Sequence, residues 1–105
     1  MVNIPIPEKV INDYERNRGC HPGIVLKNLL VELGMSQRQL AIKVDRPYQA
    51  INEIVRCRKQ ITADTALQFE TALPGTAHFW MDIQVAYDIL VACQKRANER
   101  PFSQE

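Results

Sequence analysis

The sequence predicts an all-α domain of about five helices, organised around one pair of short helices. Three observations carry this. Apolar residues recur at helical spacing in successive stretches of the 105-residue chain. Capping residues and breakers, among them Ser36, Thr62, Thr76, Gly34 and Pro74-Gly75, punctuate those stretches. No segment reads as a strand, and there is no internal repeat or low-complexity tract.

The central pair runs from Ser36 to Lys59. Ser36 is an N-cap, and Gln39 three residues later completes a capping box. Leu40, Ala41 and Val44 form an apolar stripe. Asp45-Arg46-Pro47 makes a corner, because Pro47 drives Arg46 out of helical geometry and suits the first turn of a new helix. Ile51, Ile54 and Val55 then repeat at helical spacing. Two helices of about eight to ten residues joined by a tight corner describe a helix-turn-helix. Between Ser36 and Gln60 six basic residues face two acidic ones, a net of +4 against +1 for the whole chain, which leaves −3 on the rest. So basic a module on a mildly acidic remainder points to a local anionic partner, duplex DNA first.

The other elements follow in order. Residues 1–7, with two prolines, read as extended and mobile. Glu8 to Arg18 reads as a further, N-terminal helix, packed on the core or serving as an arm toward a partner, and Gly19 ends it. After His21-Pro22-Gly23, the spacing of Leu26, Leu29, Leu30 and Leu33 makes a core-facing stripe that Gly34 stops, and Met35 is placed to staple onto Leu40. Thr62 caps a helix with Asp64 in its first turn and Ala66, Leu67, Phe69, Ala72 and Leu73 as its apolar surface. Thr76 caps a long C-terminal helix reaching about Ala97. Its apolar residues, from Phe79 to Ala92, cover an unusually broad arc, so it is either buried centrally or partly faces another subunit. Trp80, Ile83, Tyr87 and Leu90 share one face as core or dimer contacts, with Gln84 among them as a buried hydrogen-bonding group. The organisation expected is an arm over 1–20, one domain over 21–97 holding the helix-turn-helix at 36–59, and a flexible tail over 98–105.

Composition excludes several classes. With 46% hydrophobic and 24% charged residues the chain is an ordinary globular domain, and its longest apolar runs are too short for a membrane span. The N-terminus has neither the basic start nor the apolar region of a signal peptide, so a cytoplasmic protein is expected. Cys20, Cys57 and Cys93 are odd in number and widely spaced, which suggests reduced thiols rather than a disulfide framework or a zinc site. Catalytic readings fare poorly. Cys20 and His21 are adjacent, which is poor geometry for a nucleophile and its base, and His78 reads as a surface residue. Cys57 stands between Arg56 and Arg58, a setting that lowers a thiol pKa, but no histidine partner is identifiable. There is no Gly-rich phosphate loop and no HExxH-like pair, so neither an enzyme nor a cofactor is expected.

The blocks HPG at 21–23, SQRQLA at 36–41, INEIV at 51–55, ITADTAL at 61–67 and FWMDIQVAYDI at 79–89 resemble the HigA-type antitoxins. These are also called plasmid-maintenance antidote or VapI-like proteins, in the Cro/CI-type helix-turn-helix class. The likeness covers about residues 21–90, and its last two blocks are the diagnostic ones. It implies a five-helix Cro/CI-like domain, a homodimer on a palindromic double-stranded operator, repression of its own operon, and a RelE-like toxin as partner in a type II toxin–antitoxin system. The chain departs from the pattern twice. Cys57 stands where relatives usually have a Gly in the left-handed C-cap of the recognition helix, so either Cys57 bears that conformation or the turn differs. Ala50 precedes the INEIV block, where many relatives carry an Arg.

In this fold the N-terminal half of the second helix of the unit enters the major groove. With Ile51, Ile54 and Val55 inward, the outward positions are Tyr48, Gln49, Asn52 and Arg56. Gln49 and Asn52 carry amides suited to base edges, adenine being the natural target, and Tyr48 suits a thymine methyl or a phosphate. Gln37 sits where the resemblance places a phosphate or base contact. Arg38, Arg46, Arg56, Arg58 and Lys59 are the phosphate-contact candidates. Glu53 would repel phosphate, so it points sideways or pairs with an Arg. For all of these the alternative is an ordinary solvated surface. At the level of the whole protein the alternatives are a stand-alone transcriptional regulator without a toxin, or a protein-interaction module that has lost DNA binding.

Overall fold

A computed structural model of the chain describes Ile6, Glu8, Lys9 and residues 19–99. Residues 19–99 form five helices: α1 (Pro22–Leu33), α2 (Gln37–Val44), α3 (Tyr48–Val55), α4 (Ala63–Ala72) and α5 (Ala77–Glu99). No strand occurs among the described residues. Glu8 and Lys9 are helical, but most of the expected N-terminal helix lies outside the described residues, as does the tail beyond Glu99. The last helix runs two residues past the expected end at Ala97.

The helix boundaries come from local chemistry. His21 caps α1 through its ring, Nδ1 accepting from the Gly23 amide at 2.8 Å, and Pro22 occupies the first turn, where its missing N–H costs nothing. Gly34 adopts φ 64 at the other end, and the Met35 amide donates back to Leu30. The Ser36–Gln39 capping box of α2 is complete, at 3.0 and 2.8 Å. The Thr62 hydroxyl accepts from the Thr65 amide to start α4, and the Thr76 hydroxyl accepts from the Phe79 amide to start α5. Pro47 stands at the N-cap of α3, one residue before the first turn expected for it.

The helices pack as α1 on α3 and α5, α2 on α3 and α4, and α4 on α5. Their shared core holds Leu26, Leu29, Leu40, Ile51, Phe69, Trp80 and Ile83, all essentially sealed from solvent. Trp80 meets Phe69 and Phe79 edge-on, with centroids 5.3 and 5.2 Å away. Gly23 is required by packing: a Cβ there would collide with the Ile54 carbonyl oxygen, so the start of α1 presses directly on the end of α3. Met35 is half-buried against this core.

Two apolar expectations change, at Leu33 and Leu67, and the arc of α5 proves mixed. Leu33 does not join the core stripe. It ends α1 on the wall of an open groove that it shares with Met35 and Ile42. Leu67 is exposed, because α4 turns Ala66 and Phe69 inward and leaves Leu67 over a shallow groove with Ala63, Ala77 and Met81. The broad apolar arc of α5 divides along its length. Trp80, Ile83 and Gln84 are buried, whereas Val85, Ile89, Leu90 and Val91 are exposed. No helix among the described residues is long and apolar enough to cross a membrane.

Candidate nucleic-acid interface

α3 owes its orientation to three inward residues. Ile51, Ile54 and Val55 are buried, which turns Tyr48, Gln49 and Asn52 outward. Tyr48 and Gln49 are exposed, and Asn52 is half-buried. Gln37 and Arg38, in the first turn of α2, reach the same surface. Asn52 Nδ2 donates to Gln37 Oε1 at 3.0 Å and lies 3.4 Å from the Tyr48 hydroxyl. The Arg38 guanidinium sits over the Tyr48 ring, 4.5 Å from its centroid. Gln49 makes no side-chain hydrogen bond among the described residues and is open to a partner.

The basic residues fall into two groups. Arg38, Arg56 and Arg58 are exposed and make no ion pair among the described residues. Arg46 is held at the corner instead: its Nη2 pairs with Asp64 at 2.9 Å and its Nε donates to Gln68. It thereby ties the corner to α4, which nothing in the spacing of the sequence indicates. Lys59 lies 3.8 Å from Glu53, so Glu53 pairs with a lysine, where a sideways turn or an arginine partner is expected. Lys59 is exposed and Glu53 half-buried, and such a surface pair yields readily to a phosphate.

The turn after α3 carries Arg56, Cys57, Arg58 and Lys59. Cys57 adopts φ 61, so it bears the left-handed conformation for which the resemblance leads one to expect Gly. The Arg58 amide closes the turn onto the Glu53 carbonyl at 2.8 Å, and the Cys57 amide donates to Ile54 at 2.9 Å. The thiol of Cys57 does not have the lowered pKa its arginine neighbours suggest. Partial burial pushes it up, and Lys27 opposes that only in part. Burial likewise raises the Cys20 thiol, so neither is an activated nucleophile. Among the described residues no group of His, Cys, Asp and Glu is placed to hold a metal ion.

Behind the turn lies a polar brace that the sequence indicates only through Gln84. Gln84 Oε1 accepts from the Ile61 amide at 2.7 Å, and its Nε2 donates to Asp88 at 2.9 Å. His21 packs edge-on against Tyr87 at 4.9 Å. Its burial lowers its pKa, while Asp88 and the Lys59 backbone pull the other way. The imidazole is thus held neutral, as its capping role requires. α5 and the start of α1 together fix the stretch of chain that carries Arg58 and Lys59.

The fold and this surface define a Cro/CI-type helix-turn-helix domain, with an exposed second helix flanked by cationic side chains. No protein-family model matches the chain. Virulence-associated protein I of Dichelobacter nodosus is 40% identical over 77 residues, which is 72% of this chain and 71% of that protein. A HigA-family addiction module antidote protein from Coxiella burnetii superposes with TM-score 0.70 at 34% identity, covering 84% of this chain and 99% of the other. The antitoxin HigA of Pseudomonas aeruginosa, solved with the higBA promoter, superposes with TM-score 0.73 at 29% identity, over 84% and 97% of the two chains. The chain belongs to the HigA-type, VapI-like family of plasmid-maintenance antidotes. That is a family of antitoxins rather than enzymes.

Proposed function

We propose that this chain is the DNA-binding antitoxin of a type II toxin–antitoxin pair, acting in the cytoplasm on its own operator. The observation that carries the reading is the face of α3. Tyr48, Gln49 and Asn52 point outward from a helix whose other side is locked into the core, with Arg38 over Tyr48 and the exposed Arg56, Arg58 and Lys59 at the helix's C-terminal end. A relative of the same fold was solved with promoter DNA, which supports the same partner here. In this reading α3 enters the major groove. Gln49 and Asn52 meet base edges, Tyr48 a methyl group or phosphate, and Gln37 a base or phosphate. Arg38, Arg56, Arg58 and Lys59 meet phosphates. Arg46 reaches phosphate only by exchanging Asp64 for it.

A two-fold operator needs two α3 helices about one DNA turn apart, hence a homodimer. The exposed apolar residues Val85, Ile89, Leu90 and Val91 supply a candidate interface. It lies on α5, whose neighbours are α4 and α1, so pairing there leaves α2 and α3 free. The proposed second partner is a RelE-like toxin encoded beside this gene, with autorepression following from operator binding.

Two measurements test the reading. Gel shift with the DNA upstream of its own gene should show binding that weakens steeply as salt rises. Co-expression with the adjoining small open reading frame should restore growth. Operator binding without any toxic neighbour would leave a stand-alone regulator. Absence of salt-sensitive binding would leave a protein-interaction module.

A further inference from the structure

Four of the outward polar side chains do not act separately. Two come from α2 (Gln37, Arg38) and two from α3 (Tyr48, Asn52), and they form a connected chain of interactions across the helix pair. Gln37 Oε1 receives Asn52 Nδ2, Asn52 Nδ2 also approaches the Tyr48 hydroxyl, and the Tyr48 ring carries the Arg38 guanidinium. Gln37 and Asn52 lie 15 residues apart in sequence, and both are half-buried, so each restricts the other. A free asparagine amide pairs with adenine by accepting and donating at once. Asn52 is not free. Its nitrogen is turned to Gln37 and Tyr48, and its Oδ1 is the group left for a ligand.

We propose that Gln37 is a positioning residue that sets the specificity of Asn52: it holds the amide nitrogen back, so that Asn52 offers an acceptor and selects a base amino group in the major groove, adenine N6 or cytosine N4. This rests on the DNA-binding reading above. Gln37 contributes to base choice through Asn52, and any phosphate contact of its own carries no base preference, so removing either should erase the same base preference. Arg38 and Tyr48 steady the unit from its other side, and Gln49 reads independently of it.

Selection of binding sites from a random duplex pool, followed by affinity measurement on the selected site, tests this. The proteins compared are the wild type, Gln37→Ala, Asn52→Ala and the double variant. The expected result is a weakening of about tenfold for each single variant at one and the same base pair. At that base pair the double variant should lose discrimination by no more than about twofold beyond the single ones, as coupled residues require. Gln37→Glu keeps an acceptor for the Asn52 nitrogen and should preserve the base preference while weakening binding overall. Gln37→Lys offers only a donor, so it should draw Asn52 Oδ1 inward and shift the preference toward guanine or thymine, which present acceptors. Additive effects, or preferences abolished at different base pairs, would overturn the proposal while leaving DNA binding intact. An unchanged base preference in Gln37→Lys would do the same. A wild-type protein that selects no site overturns both readings. Circular dichroism of each variant separates a binding defect from a failure to fold.

Discussion

The Gln84 side chain and the Ile61 backbone amide, 23 residues apart in sequence, share a buried hydrogen bond of 2.7 Å. It joins α5 to the residue just after the basic turn. Ile61 is itself almost wholly buried, so its amide has no water to fall back on. The candidate dimer helix and the basic turn are thus mechanically connected through one side chain.

Replacing Gln84 by Leu keeps the volume and leaves the Ile61 amide without an acceptor. The expected cost is about 1–3 kcal/mol. Urea unfolding followed by circular dichroism measures it. A change within a few tenths of a kcal/mol would mean that the amide finds another partner.

Cys57 occupies the left-handed region at φ 61, a conformation that strains a residue bearing a Cβ. Cys57→Gly should relieve it. The gain is offset in part by the greater freedom of Gly in the unfolded chain, leaving a net stabilisation of about 0.5–1 kcal/mol. Cys57→Val should destabilise, because a β-branched residue fits the region worse. Equal midpoints of denaturation for the three proteins would refute the strain.

His21 predicts a pH dependence with a definite sign. Its pKa in the folded protein lies below the ordinary value of 6.5, because burial disfavours the imidazolium. The unfolded chain therefore takes up the proton first as pH falls. The stabilisation is present above about pH 6.5 and declines progressively below it. Denaturation midpoints between about pH 7.5 and about pH 5.5 should fall. His21→Ser, which keeps a capping oxygen without a titrating ring, should flatten that fall. A midpoint rising toward acid would contradict the neutral cap.

Arg58→Ala and Lys59→Ala should weaken operator binding without changing which bases are preferred. Every phosphate left without its cation should reduce the slope of log affinity against log salt by about one. Lys59 first has to leave Glu53, so Glu53→Gln should slightly strengthen binding at low salt. Fluorescence anisotropy over a salt series reads both effects.

Much of this molecule is legible before any coordinates. The capping box at Ser36 and Gln39, the stop at Gly34, the caps at Thr62 and Thr76, and the inward faces of α2 and α3 all stand where the spacing puts them. The buried role of Gln84 also follows from its place among apolar neighbours. Leu33 and Leu67 do not follow, since a helical period shows which residues share a side but not whether another helix covers it. Arg46 illustrates the same limit for charge. Its basicity suggests a phosphate contact, yet Asp64 and Gln68 from α4 take its guanidinium, and only the approach of α2 to α4 brings them there.

The helices and the family are therefore written in the order of residues alone. Caps, turns and helical stripes act between residues at most about four apart, where the chain's own geometry dictates who meets whom. Which polar groups on the α3 surface are free and which are committed is a matter of packing. Asn52 with Gln37, Arg46 with Asp64 and Lys59 with Glu53 are pairings between groups that the folded chain brings together. An outward-pointing side chain offers a partner only what its neighbours have left unsatisfied.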